Sequence, residues 1–190
     1  MVGDLLPATQ GAGPLLQRDY WAILGDCSLS PSAVIDRVKQ DFCSLPPTSL
    51  VHFDAPAGIS LNALIDIVIA PRQRCGVQVI HEDRQSLTFG TIAGHPEAGR
   101  ITFGAYRNPK GEVIFHIRSR ARSTTAAKRL GFLAIGDAMQ TNTWTDFIRN
   151  TAALVNASVS GAIHADTIEV EETADDDEPL HAPTFVAAGD

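Results

Sequence analysis

The apolar positions of this chain change period twice. From Thr48 to Arg122 they recur every second residue: Leu61, Ala63, Ile65, Ile67 and Ile69, then Val77-Val79-His81, Leu87-Phe89-Thr91, Ile101-Phe103-Ala105 and Val113-Phe115-Ile117. Turn-forming groups separate these runs at Pro56-Ala57-Gly58, Pro71, Glu82-Asp83-Arg84, Gly94 to Gly99 and Asn108-Pro109-Lys110-Gly111. Strands that follow one another through short links, with no helix between them, predict an antiparallel meander.

Helical spacing flanks the meander on both sides. After a short aromatic strand predicted at Asp19 to Leu24, Ser30 and Pro31 supply an N-cap and a first helical residue. Val34, Ile35, Val38, Phe42 and Leu45 then form one apolar stripe, ended by Pro46-Pro47. Beyond Arg122, Leu130, Leu133 and Ala134 continue into Trp144, Phe147, Ile148, Thr151, Ala152 and Val155. A helix over Thr125–Asn156 spans roughly 48 Å at about 1.5 Å per residue, with Gly131 and Gly136 as places for a kink or break. Gly90 and Gly104, inside strands, suggest bulges or bends.

The predicted class is α+β: a curved antiparallel sheet gripping a long C-terminal helix, with a short helix after the first strand. The expected division is a loose leader over 1–17, a domain over 18–158 and an acidic, disordered tail over 159–190. A twisted sheet and a straight helix do not match perfectly, so their interface either holds a cavity or closes into a dry core. Phe89, Phe103, Phe115, Leu133 and Trp144 are the candidate wall residues in either case.

Charge narrows the choice of partners. The net charge of −7 is uneven: residues 1–160 hold all 15 bases and 13 acids, about +2, while residues 161–190 hold nine acids and no base. The basic cluster Arg118, Arg120, Arg122, Lys128 and Arg129 lacks interleaved aromatics, and an acidic tail competes with a phosphate backbone, so no nucleic acid is expected as a partner. No apolar run reaches the roughly 20 residues of a transmembrane span. The N-terminus has Asp4 and no early Lys or Arg, unlike a secretory signal. Cys27, Cys43 and Cys75 are odd in number and show no C-x-x-C spacing, as expected of free thiols in a reducing, cytoplasmic setting.

The segment Leu87 to Ser123 contains Phe89-Gly90-Thr91, then Gly94-His95-Pro96-Glu97, then Gly99. This resembles the family of domain of unknown function 1990, whose stretch reads aromatic-Gly-Thr-x-x-Gly-His-Pro-Glu-x-Gly before a pair of strands. A weaker similarity extends from about Tyr20 to Val155. The chain departs from the family pattern at Arg100, where acidic residues are usual, and at Arg120-Ala121-Arg122-Ser123, which replaces a Ser-Arg-Pro. The family is similar to the START-like (SRPBCC) helix-grip superfamily, and that resemblance implies a sheet–helix cavity for a small apolar or lipid-like ligand.

His95 and Glu97 are the sharpest polar pair. An imidazole beside a carboxylate suits general-base chemistry, while the same residues in a Gly- and Pro-bearing loop suit a structural turn. No nucleophile motif accompanies them. His81, Glu82, His95, Glu97 and His116 lack metal-ligand spacing, so neither metal nor cofactor is expected. His116 and Asp66 alternate with core positions and are expected on the opposite sheet face, His116 solvated or pairing across strands; Asp137 and Gln140 extend toward the cavity if the helix is continuous, with a solvent-facing placement expected for both. The leading expectation is a non-enzymatic binding module with Phe89, His95, Glu97, Phe103, Phe115, Leu133 and Trp144 around its ligand. The alternatives are an interaction protein with a filled core and a partner-binding acidic tail, and an enzyme using His95 and Glu97.

Overall fold

The computed structural model describes residues 3–47, 49, 51–56, 58–69, 73–124 and 126–171, without the side chains of 126–138. Eight strands form one open antiparallel sheet: β1 (Ala12–Gly25), β2 (Val51–Asp54), β3 (Leu64–Ile69), β4 (Gln73–Glu82), β5 (Ser86–Thr91), β6 (Glu97–Arg107), β7 (Val113–Ser123) and β8 (Ser158–Val170). Their spatial order is β2-β3-β4-β5-β6-β7-β1-β8. The meander from β2 to β7 follows chain order, and β1 closes beside β7 by pairing Tyr20 with Ile117 and Leu24 with Val113. Among the described residues, two α-helices complete this α+β fold: α1 (Pro31–Asp41) and α2 (Ala126–Leu154).

Helix α1 starts where its cap dictates. Ser30 Oγ accepts the Ala33 N–H at 3.2 Å, and Pro31 takes the first helical position, where a missing N–H costs nothing. Its stripe enters the core as the spacing predicts, with Val34, Ile35, Val38, Phe42 and Leu45 all buried. Phe42 lies at the centre, with ring centroids 5.0–5.4 Å from those of Phe53, Phe89, Phe103 and Phe147. Such edge-on and tilted pairs add to the area they bury. Helix α2 runs without interruption through Gly131 and Gly136 and packs on β1, β7 and β8. Phe147 meets Phe103 and Phe115 of the sheet, and Ala152 and Val155 are buried beside it. Among the described residues, no helix is long and apolar enough to cross a membrane.

The sheet is larger at both ends than the 18–158 span expected from the pattern. The stretch expected as a leader carries a short 3₁₀ turn at Ala8–Gln10 and the first half of β1. Gly13, with φ of 85°, sits where the β1–β7 register shifts between Ala12 and Leu16, so glycine and proline mark a bulge there and not a loose segment. The start of the acidic segment forms β8, which pairs with β1 from Gly25↔Ser158 to Leu15↔Val170. Its side chains are mostly exposed; main-chain bonds to β1 supply what its sequence pattern does not advertise. The rest of the acidic tail, 172–190, lies outside the described residues.

Two smaller expectations also change. Gly90 and Gly104 keep regular register on both sides; the irregularity lies in β4 between Val79 and His81. A Cβ at Gly90 would approach Ile80 and Leu5 side chains at 3.2 Å, so glycine there serves a close approach. Asp66 is exposed between buried Ile65 and Ile67, as the alternation predicts.

Candidate functional site

The Gly94–Gly99 segment forms the link between β5 and β6 and the first residues of β6. Gly94 has φ of 94° and Gly99 φ of 151°, both unfavourable for other residues. At Gly99 a Cβ would lie 2.1 Å from Arg120 O and 2.7 Å from Ala121 Cα, so the strands themselves exclude any side chain. The link is tied down from three directions. Thr91 Oγ1 donates to Leu6 O at 2.9 Å and accepts the Gly99 N–H at 3.0 Å. Ala93 N–H donates to Asp4 O at 2.9 Å. Pro96 O accepts both the N–H and the hydroxyl of Thr124 at 3.0 Å, joining the link to the end of β7.

His95 and Glu97 are fixed by different partners. His95 Nδ1 lies 2.9 Å from Glu97 O and 3.0 Å from Glu97 N, so either tautomer ties the ring to the Glu97 main chain. The Glu97 carboxylate instead receives Arg18 Nη1 on Oε1 at 3.3 Å and Gln140 Nε2 on Oε2 at 2.9 Å. Strand β1 and helix α2 therefore meet on one carboxylate of the family motif. With α2 continuous, Gln140 takes the inward placement and not the solvent-facing one expected of it; Asp137 and Leu133 lie outside the described side chains.

His95, Glu97 and Gln140 border a cavity of about 130 Å³ between the inner sheet face, Phe42 in the turn after α1, and α2. Phe42, Phe53, Phe89, Phe103 and Trp144 form an aromatic wall, while Thr91, His95, Glu97, Arg100, Ser119, Gln140 and Thr143 give the lining its polar groups. Of the predicted ring of residues, Phe89, His95, Glu97, Phe103 and Trp144 line the cavity. Phe115 does not: it is stacked on Phe147 at 6.1 Å and 7° and belongs to the packed core. The alternation puts Phe115 on the inward face, where Phe147 of α2 covers it. Arg18 and Ser119 are not among the site residues that the sequence pattern singles out. The alternation Leu24, Ala22, Tyr20 carried back along β1 places Arg18 on the inward face, a usable signal for that residue.

A second polar array occupies the opposite face. Asp19 Oδ1 lies 2.7 Å from His116 Nε2 and accepts Arg118 Nε at 2.6 Å, while Asp19 Oδ2 accepts Gln17 Nε2 at 2.7 Å. His116 Nδ1 stands 3.2 Å from Tyr106 OH. With Nε2–H given to the carboxylate, a neutral ring accepts the tyrosine proton on Nδ1. Burial opposes ionisation of Asp19, but hydrogen bonds from His116, Arg118 and Gln17 and the Arg118 charge outweigh it and hold the carboxyl at about 2. Burial lowers the His116 pKa, and Asp19 only partly restores it. The sequence expectation of cross-strand pairing for His116 is met, although the ring is buried and not solvated. The array clips β1, β6 and β7 together away from the cavity.

The remaining candidates are dispersed. His81 pairs with Asp83, and Glu82 accepts Lys39 Nζ at 2.8 Å and the Leu61 N–H at 2.9 Å. Among the described residues no group of three or more His, Cys, Asp or Glu side chains is placed to hold a metal ion. The three cysteines are free and half-buried. Burial, aided by the Glu97 charge, pushes the Cys75 thiol up to about 11.

Solved structures share this architecture at low sequence identity. The KanY protein (ms6282) superposes with a TM-score of 0.56 at 10% identity, covering 76% of this chain and 99% of that one. Norcoclaurine synthase from Thalictrum flavum, solved in complex with dopamine and hydroxybenzaldehyde, gives 0.54 at 10% identity, covering 78% and 90%. The di-domain ARO/CYC StfQ from the steffimycin biosynthetic pathway gives 0.52 at 10% identity, covering 75% of this chain and 52% of that one. These likenesses establish the helix-grip fold. No curated protein matches the chain in sequence. The family described as Domain of unknown function (DUF1990) matches residues 49–150, which include the whole Gly94–Gly99 motif, and the chain belongs to that family.

Proposed function

We propose that this domain binds a small apolar molecule in the cavity between its sheet and α2. The carrying observation is the aromatic-walled cavity itself, about 130 Å³ beside the cluster of buried core residues. Interiors ordinarily close such space, because unfilled volume forfeits packing energy. An apolar cavity of about 150 Å³ is enough to accept benzene, so the volume suits a compact occupant better than a lipid chain. The Glu97 carboxylate is engaged by Arg18 and Gln140, and His95 Nδ1 by main chain. Those bonds favour binding over a base poised for proton transfer.

The test is titration of the protein with toluene, indole and naphthalene, followed by ligand-observed NMR and calorimetry. Saturable one-site binding that disappears in Ala121→Leu, which fills the cavity from β7, is the expected result. Absence of binding by all three up to their solubility limits rejects the reading.

A further inference from the structure

The cavity carries one polar feature that its apolar wall does not explain. Ser119 is 5% exposed, borders the cavity, and its Oγ has no hydrogen-bond partner. Buried hydroxyls are nearly always bonded, because an unmade bond leaves the cost of desolvation uncompensated. Its neighbours do not take it: Arg18, directly opposite on β1, reaches to Glu97, and Ile101, opposite on β6, offers no polar side chain. Phe89 is the next residue across the sheet, paired with Ile101. Ser119 and the Phe89 aromatic wall therefore stand two strand spacings apart, about 10 Å, a distance suited to one ring and one substituent.

We propose that the occupant is a single-ring compound bearing one uncharged oxygen group, a hydroxyl or carbonyl, which bonds Ser119 Oγ while the ring packs against Phe89, Phe103 and Trp144. This rests on the cavity being a binding site. A serine hydroxyl both donates and accepts, so it serves either oxygen group. The ion pair between Arg18 and Glu97 leaves neither charge seeking a counter-ion in the ligand. Arg100 also borders the cavity, which makes a carboxylate the charged competitor to be tested.

The experiment compares p-cresol, toluene and benzoate on the intact protein and on Ser119→Ala, by calorimetry at neutral pH. The wild type is expected to bind p-cresol about tenfold more tightly than toluene, the worth of one ordinary hydrogen bond. Benzoate is expected to bind more weakly than p-cresol. In Ser119→Ala the preference for p-cresol is lost while toluene affinity is kept. Equal binding of p-cresol and toluene by the wild type overturns the assignment of Ser119 and leaves apolar binding standing. Tighter binding of benzoate overturns the uncharged head group, and binding of none of the three overturns both readings. The wild-type comparison decides the matter even if Ser119→Ala fails to fold.

Discussion

Arg18 donates to Glu97 at 3.3 Å across 79 residues of sequence, with 3% and 13% of their side chains exposed. The bond joins the first long strand to the family motif, and Gln140 brings α2 to the same carboxylate. Removing one partner strands the other, because a buried charge without its counter-ion loses more than the pair itself contributes. Glu97→Ala is expected to cost about 3 kcal/mol in chemical denaturation. The double variant Arg18→Met with Glu97→Gln is expected to cost less than the sum of the single changes by about 1 kcal/mol or more. Additive losses would show that the two side chains are not coupled.

Acid sensitivity follows from the array on the opposite face. The folded Asp19 carboxyl, at about 2, lies below its ordinary 3.8, so its contribution is complete above 3.8 and disappears as pH falls toward 2. The folded His116 also lies below its ordinary 6.5; its contribution is complete above 6.5 and is lost as pH falls through the lower folded value. Both groups weaken the fold in acid. Urea midpoints measured from neutral pH downward should decline below 6.5 and again below 3.8, with His116→Gln flattening the first limb and Asp19→Asn the second. A wild-type profile without a decline below 6.5 contradicts the assignment of His116.

Gly94 and Gly99 separate backbone preference from steric exclusion. Gly94 has open space around a would-be Cβ, so Gly94→Ala is expected to cost only the positive-φ penalty, about 1–2 kcal/mol. At Gly99 a methyl group would meet Arg120 O at 2.1 Å, and the β6–β7 pairing must open to admit it. Gly99→Ala is therefore expected to lose about 4 kcal/mol or more, or to yield no soluble protein. Thermal melting of the two variants checks this, and equal losses would mean that β6 and β7 readily move apart.

The amino-acid pattern by itself determined the local architecture. Ser30 and Pro31 start α1, the stripe from Val34 to Leu45 goes inward, and the alternation from Leu61 to Ile117 lays out the meander. Each of these depends on neighbours close in sequence, where period and capping state which face is buried and where an element begins. The Gly94–Gly99 motif also points to the family, and its two glycines meet backbone demands that few other residues satisfy.

Tertiary structure decided everything that joins distant elements. Strand β8 exists because β1 offers its main chain, although most of its own side chains remain in solvent. Phe115 and Phe103 have the same parity in neighbouring strands, yet one stacks on Phe147 and the other borders the cavity. Arg18, Ser119 and Gln140 come together from β1, β7 and α2 only through register and sheet curvature. Period tells which side of an element is covered. How completely it is covered depends on the shapes of the surfaces that meet, and that fit leaves the cavity.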